Sequence, residues 1–312
     1  MSKIKITFIS CCFNEEHNLE KHLNAIHSMM SSLSVDQWEI LLIDDGSTDN
    51  TIQVLRDMKV KYSNLRYACL TRNFGKEAAI CAGLDLVNNS EAAILIDADL
   101  QHPVETIPAM INEWEKGYDM VVATPKNRAT SLSNKLLSRL YHKFISWSSK
   151  HDILRDGGDF RLISSQQINR IRSLRERGRY MKGLYSYPGG KISSVEYDEK
   201  QRSDGKSTFS ILKRVNLAID GITSLTSFPI RLFTLLGLSV LFLSIVYLLY
   251  ILFGIIVHGK DVPGFASLLF SVVILNGLIM IQVGVQGEYI AQLLKEVKQR
   301  PIYVIDEESS DL

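Results

Sequence analysis

The chain has 312 residues, which is long enough for one large domain and an additional segment. Its 35 basic and 34 acidic residues leave a formal net charge of +1. Because proteins that track nucleic acid carry a strongly basic field, this balance argues against a nucleic-acid partner.

The N-terminal part of the chain alternates short apolar runs with amphipathic segments. Runs that are apolar on both faces and separated by helices are typical of a parallel sheet covered by helices on both sides. In such sheets, ligands bind beyond the carboxyl ends of the strands. The pattern predicts strands at 3–11, 38–44, 65–71, 92–97 and 118–124, with helices at about 16–32, 49–62, 76–88 and 104–116.

Polar or acidic loops follow the first four predicted strands: CCFNEE, DDGSTD, RNFGKE and DADLQHP. In the last of these, Asp97 and Asp99 are two residues apart, so an extended chain directs both carboxylates to the same side. Two carboxylates held together repel each other unless a cation lies between them. Mg²⁺ or Mn²⁺ prefers oxygen ligands and leaves positions for substrate phosphates, and Gln101 offers a third oxygen. The sequence therefore predicts a site for a divalent cation and a diphosphate, with a capping or solvated pair as the alternative.

Two long apolar runs occupy the C-terminal part of the chain, at 232–257 and 264–285. Each exceeds the roughly 20 residues that a membrane span needs, which predicts a transmembrane hairpin, with buried helices of a soluble enzyme as the alternative. Asn276 and Gln282 are costly against lipid and favour a homo-oligomer. The positive-inside rule places both termini and the N-terminal domain in the cytoplasm, in the inner membrane. The basic residues that carry this prediction are Lys206, Lys213, Arg214 and Arg231 before the hairpin, and Lys295, Lys298 and Arg300 after it.

The segment between the sheet and the hairpin has an apolar stripe at helical spacing, which predicts an interfacial helix. The acidic C-terminal residues DEESSDL are expected to be disordered. The predicted organisation is a cytoplasmic catalytic domain at 1–206, an interfacial helix at 207–228, two transmembrane helices within 229–287 and a cytoplasmic tail at 288–312.

Six motifs occur in a fixed order: FNEE, IDDGSTD, RNFGKEAAICAGL, DADLQHP, GGDFRL and LAIDGITSLTSFPIRL. Together they resemble the polyprenyl-phosphate glycosyltransferases, which include dolichol-phosphate mannose synthases and bacterial bactoprenol glucosyl transferases. The resemblance covers about residues 4–290, and the two-span hairpin is most similar to the bacterial glucosyl branch. It implies a family-2 glycosyltransferase with an α/β, Rossmann-like GT-A fold and a mixed, mainly parallel sheet, followed by the interfacial helix and the hairpin.

The resemblance also implies the reaction. A hexose, with glucose favoured, would pass from a nucleotide sugar, with UDP-glucose favoured, to undecaprenyl or another polyprenyl phosphate. The transfer would invert the anomeric centre, require Mg²⁺ or Mn²⁺, and supply a lipid-linked sugar for surface glycan or O-antigen modification. The enzyme would be a homo-oligomer, with a tetramer as one form.

The residues carried over by the resemblance fall into four groups. The catalytic group is Asp159, Asp99 and Arg202; the nucleotide-sugar group is Phe13, Glu15, Asp44, Asp45, Lys76 and Asp97; the acceptor-phosphate group is Lys126, Arg128, Lys135 and Ser138; and the metal group is Asp97, Asp99 and Gln101. Asp159 is either a base or a residue that orients the sugar or the acceptor. Because a phosphate monoester already carries about −1.5 to −2 charges, it needs no strong base to act as a nucleophile.

The chain departs from the family pattern in two places. Phe13 stands where the family usually has tyrosine. Lys126 and Arg128 are both candidates for the place of one family arginine. A processive polysaccharide synthase is an alternative, although the chain lacks that class's Gln-x-x-Arg-Trp signature. A non-catalytic membrane scaffold or flippase component is another alternative, and the complete set of motif acids argues against it.

Overall fold

The computed structural model describes residues 5–33, 35, 37–126, 158–177, 179–198, 228–258 and 264–309. The chain divides into two compact units, one of residues 1–214 with 299–312 and one of residues 215–298. The predicted interfacial helix lies outside the described residues, apart from its last residue.

The first unit is built on one mixed sheet, and its described part has eight strands in the order β7-β5-β6-β4-β1-β2-β3-β8. The pairs β1–β2, β1–β4, β2–β3 and β5–β7 are parallel, whereas β4–β6, β5–β6 and β3–β8 are antiparallel. The strands are β1 (Lys5–Cys12), β2 (Gln37–Asp44), β3 (Leu65–Leu70), β4 (Ala92–Leu95), β5 (Met120–Pro125), β6 (Arg161–Ser164), β7 (Ile192–Tyr197) and β8 (Ile305–Glu308).

In the described part of this unit, six α-helices pack on the two faces of the sheet. One face carries α1, α2 and α4, and the other carries α3, α5 and α6. Neighbouring residues of one strand, such as Phe8 and Ile9, are both buried and belong to opposite faces. The predicted α/β fold with a mainly parallel sheet is therefore confirmed. The helices are α1 (Leu19–Ser31), α2 (Thr51–Lys61), α3 (Lys76–Leu86), α4 (Ile107–Glu115), α5 (Ser165–Ser173) and α6 (Met181–Ser186).

The helix α3 packs unusually closely on β1. A Cβ atom at Gly83 would lie 2.4 Å from Cγ2 of Ile9, so a larger residue there would push the helix away from the sheet. Because α3 begins at Lys76, this close packing also fixes where the first turn of the helix lies at the carboxyl edge of the sheet.

The acidic C-terminal segment corrects an expectation. Residues Ile305–Glu308 form β8, which pairs with the edge strand β3, so the prediction of disorder was wrong for this stretch. Contacts with arginine side chains explain why this acidic segment forms a strand. The Arg56 guanidinium donates to Glu307 at 3.0 Å, and the buried Arg66 donates to Glu308 at 3.3 Å. This acidic segment therefore has two cationic partners, Arg56 on α2 and Arg66 on β3.

The second unit contains the helices α7 (Phe228–His258) and α8 (Phe265–Val297). Within the described residues, both are long and apolar enough to cross a membrane, which indicates membrane association. The helix α8 extends beyond the predicted span at 264–285. The side-chain amide of Asn276 donates to the Val272 carbonyl at 2.8 Å in its own helix, which weakens the argument from Asn276 for contacts between subunits.

Candidate active site

A cavity of about 700 Å³ lies at the carboxyl ends of β1, β2 and β4. This is the edge where a parallel sheet is expected to bind its ligand. Seven residues predicted for the nucleotide sugar or the metal line the cavity: Phe13, Glu15, Asp45, Lys76, Asp97, Asp99 and Gln101. Cys11, Cys12, Asn73, Gly75, Ala79 and Ala98 complete the lining.

Backbone hydrogen bonds to Asp45 hold two of the lining loops together. Its carboxylate accepts the N–H groups of Phe74 at 2.8 Å and Gly75 at 2.9 Å, which joins the loop after β2 to the start of α3. Gly46 between these loops has a φ of +68°, and a Cβ there would lie 2.3 Å from the backbone of Arg72. The close approach of the two loops therefore requires glycine at this position.

Asp44, which was predicted for the nucleotide sugar, lies at the end of β2. Its carboxylate is fully buried, accepts the Ser47 backbone N–H at 3.0 Å, and also accepts the Ser47 hydroxyl. It does not line the cavity. Asp44 therefore stabilises the turn that presents Asp45, and direct binding of the donor by Asp44 stays a prediction.

The loop after β4 gathers three groups that could hold a metal ion. Ligand atoms of Asp97, Asp99 and His102 all lie within 4.8 Å of one another. The Asp99 carboxylate accepts the backbone N–H of Gln101 at 3.1 Å, which places the loop around the two acids. Two carboxylates with a further nitrogen or amide oxygen form a suitable donor set for Mg²⁺ or Mn²⁺, so the residues present fit the cation.

Lys76 connects this loop to the predicted catalytic acid. Its Nζ lies 2.8 Å from Oδ2 of Asp97 and 2.8 Å from Oδ2 of Asp159. Burial alone would raise the pKa of Asp159, but the Lys76 ammonium outweighs burial and lowers that pKa below its usual range. Burial alone would lower the pKa of Lys76, and the two carboxylates outweigh it and raise that pKa. Asp159 is therefore a carboxylate at neutral pH, and Lys76 is an ammonium.

Sequence reasoning missed His102, although it lies in the quoted DADLQHP stretch. Its Nδ1 accepts the Asp97 backbone N–H at 3.3 Å, and its ring stacks on Phe160 with centroids 4.9 Å apart. Because Phe160 follows Asp159 in the chain, His102 links the metal loop to the segment that carries Asp159. The sequence signal that could have identified His102 was its position five residues after Asp97. The orientation of its ring, however, depends on packing.

Glu77 was missed as well. Its carboxylate accepts the Met181 backbone N–H at 2.6 Å and thereby holds the first turn of α6 against α3. Burial raises the pKa of Glu77 to about 7. In the sequence it follows Lys76 and resembles an ordinary acid in the first turn of a helix, a position that acids commonly occupy.

The same helix α6 supports the strand that follows Asp159. The guanidinium carbon of Arg161 lies 3.7 Å from the ring centroid of Tyr185, and Arg161 also donates to the Gly158 carbonyl. Arg161 is thus bound to the residue before Asp159, whereas the ion pair of Asp159 itself is with Lys76.

The residues predicted for the acceptor phosphate, and Arg202, are not among the described residues that line the cavity. The Lys126 ammonium lies 3.4 Å from the Asp198 carboxylate, and Lys126 does not line the cavity. Arg128, Lys135, Ser138 and Arg202 lie outside the described residues, so their assignments stay predictions.

Comparisons with known proteins identify the family of this chain. Residues 7–178 match the model of glycosyl transferase family 2. The SfII prophage-derived bactoprenol glucosyl transferase of Shigella flexneri is 38% identical over 304 residues, which is 97% of this chain and 97% of that protein. A prophage bactoprenol glucosyl transferase homolog of Escherichia coli is 38% identical over 304 residues, covering 97% of this chain and 98% of that protein.

Two further proteins that are similar to this chain have names that mention no lipid. An uncharacterized glycosyltransferase of Synechocystis is 35% identical over 305 residues, covering 97% of this chain and 95% of that protein. Among solved structures, glucosyl-3-phosphoglycerate synthase of Mycobacterium tuberculosis superposes with a TM-score of 0.46 at 16% identity, over 69% of this chain and 75% of that one. The family match and the near full-length relatives place the chain in glycosyl transferase family 2, and it is a glycosyltransferase.

Proposed function

We propose that this enzyme transfers a hexose from a nucleoside diphosphate sugar to a polyprenyl phosphate. The observation that carries the proposal is the convergence of Asp97, Asp99 and His102 with the Lys76–Asp159 pair, and of these residues Lys76, Asp97 and Asp99 line the cavity. This group supplies an ammonium and cation ligands, which are the kinds of group that stabilise a leaving diphosphate. Relatives named bactoprenol glucosyl transferases favour glucose and a bactoprenol carrier. The UDP donor and the undecaprenyl phosphate acceptor are proposed from the resemblance of the motifs to that branch of the family.

Asp97 and Asp99, with Gln101 or His102, would hold a divalent cation of the Mg²⁺ or Mn²⁺ type. When bound, such an ion neutralises charge on the leaving diphosphate. The residues of the chain do the positioning. Phe13, 42% exposed at the cavity, offers its ring to the base of the nucleotide. Asp159 is held as a carboxylate by Lys76 and orients the sugar or the acceptor.

An acceptor phosphate supplies its own nucleophilic oxygen. Its attack on the anomeric carbon, with departure of the nucleoside diphosphate, inverts that centre and requires no proton to be removed. The proposed contacts for this phosphate are Lys126, Arg128, Lys135 and Ser138, with Arg202 acting on the leaving diphosphate. Lys126 is paired with Asp198, so its use would require that exposed pair to open.

The test is a matrix of donors and acceptors with the purified full-length chain. UDP-glucose, UDP-galactose and GDP-mannose are supplied as radiolabelled donors with undecaprenyl phosphate, and label in the organic phase is counted. We expect label from UDP-glucose that depends on both the lipid phosphate and Mg²⁺ or Mn²⁺. Aqueous polymer instead of labelled lipid would indicate a processive synthase, and no product from any donor would refute the proposal.

We further propose that α7 and α8 cross the inner membrane with both termini and the first unit in the cytoplasm, in a homo-oligomer. The support is the length and apolar composition of the helices together with the basic residues at their predicted cytoplasmic ends. An epitope tag inserted at 259–261 should be reached by protease from the periplasmic side of spheroplasts, whereas a tag after Leu312 should be protected. The reverse pattern would contradict this topology, and a monomer in mild detergent would contradict the oligomer.

A further inference from the structure

The position of Lys76 has a consequence for how the proposed metal site is loaded. Its ammonium lies 2.8 Å from Oδ2 of Asp97, and Asp97 is also one of the groups that could bind a divalent cation. A cation bound there would compete with the Lys76 ammonium for the carboxylate of Asp97. Two like charges that share one carboxylate repel each other, so the two modes of binding oppose each other.

The backbone of Lys76 is fixed, whereas its side chain is free to change partner. Gly75 precedes it with a φ of +97°, and the Gly75 N–H is bound to Asp45 at 2.9 Å. Close packing of Gly83 on Ile9 anchors the rest of the helix. The Lys76 side chain is 47% exposed and has a flexible four-carbon stem, so its ammonium can leave Asp97 without moving α3.

We propose that Lys76 is a displaceable internal counter-ion: it neutralises Asp97 and Asp159 in the metal-free site, and a divalent cation expels it from Asp97 during loading. This inference rests on the proposed function, because it assumes that Asp97 and Asp99 bind the metal. Asp159 retains the ammonium at 2.8 Å, so Lys76 stays beside the cavity and becomes available to the anionic diphosphate. Lys76 thus weakens binding of the free metal and strengthens binding of the metal with nucleotide.

The test measures Mn²⁺ affinity of the purified full-length protein without nucleotide, by electron paramagnetic resonance of free Mn²⁺. Because loading breaks only the pair of Lys76 with Asp97, and one partly exposed ion pair contributes little, Lys76→Met should bind Mn²⁺ about 1.5- to fivefold more tightly than wild type. Lys76→Arg should remain close to wild type. The control is Lys61→Met, because Lys61 is 50% exposed and paired with Glu20 at 3.0 Å outside the cavity, and this variant should bind Mn²⁺ as wild type does.

A second measurement uses UDP with saturating Mn²⁺ as the probe, by titration calorimetry. Lys76→Met should then bind UDP more weakly than wild type, so that the variant gains affinity for the metal and loses affinity for the nucleotide. Unchanged or weaker Mn²⁺ binding by Lys76→Met, with Asp99→Ala still abolishing it, would overturn the counter-ion role alone. If neither wild type nor Lys76→Met binds Mn²⁺, the metal site of the proposed function fails, and the counter-ion role fails with it.

Discussion

Replacing Asp99 with alanine should lower the rate of sugar transfer by about 10³-fold or more. Asp99 lies in the loop after β4, and its carboxylate is within 4.8 Å of ligand atoms of Asp97 and His102. A bound cation is worth several kcal/mol to the departure of the diphosphate, and about 4 kcal/mol corresponds to the expected factor. The rate is measured as radiolabelled lipid extracted into the organic phase, over a range of Mn²⁺ concentrations.

The same substitution should leave the fold intact, because Asp99 is only partly buried and lies outside the apolar core. Thermal unfolding should therefore shift little, as expected for a substitution away from core contacts. Asp57→Ala on the exposed face of α2 serves as a matched control and should retain both activity and stability. Full activity of Asp99→Ala, or wild-type activity in a chelator, would contradict the assignment.

Deleting residues 303–312 should reduce the free energy of unfolding of the first unit by about 2–4 kcal/mol. The deletion removes β8 from the edge strand β3 and takes Glu308 away from Arg66, whose side chain is 8% exposed. A buried guanidinium that loses a partner is costly, although Glu39 remains 3.8 Å from it. The exposed pair of Arg56 and Glu307 contributes less, since solvent screens it.

Tryptophan fluorescence reports this loss without interference from the apolar helices, because the three tryptophans, Trp38, Trp114 and Trp147, all precede those helices in the sequence. The urea midpoint should fall for the deletion and fall by a smaller amount for Glu308→Gln. Asp306→Asn, an exposed position of the same strand, should leave the midpoint unchanged. An unchanged midpoint for the deletion would show that β8 does not contribute to the stability of the sheet.

The strands β1 to β5 were predictable because buried parallel strands are apolar on both faces, which few other structures require. The strands β6, β7 and β8 were not predictable from the sequence. β6 contains Arg161 among only four residues, β7 alternates polar side chains, and β8 has the sequence IDEE. Each depends on a partner that is distant in sequence, and composition alone does not identify that partner. The two C-terminal helices were predictable from length and apolar composition, whereas the end of α8 was not.

In the candidate site, too, some features were predictable from the sequence and others were not. The spacing of Asp97 and Asp99 was enough to predict a cation site, because an extended chain turns both side chains to one side. Asp159 was assigned to the site through the resemblance of its motif to a family. The bridge through Lys76 and the stacking of His102 on Phe160 depend on how α3 and β6 pack against β1 and β4, and no local pattern encodes that packing.

The most direct test of the central claim is the mass of the lipid product. Purified enzyme is incubated with UDP-glucose, undecaprenyl phosphate and Mn²⁺, and the organic phase is analysed by mass spectrometry before and after mild acid. We expect the lipid phosphate to gain one hexose, and mild acid to release that hexose, as a glycosyl phosphate linkage requires. The same product should be missing with Asp99→Ala. A lipid mass that does not change while UDP is released, or a mass gain that persists in Asp99→Ala, would contradict transfer to the lipid phosphate at this site.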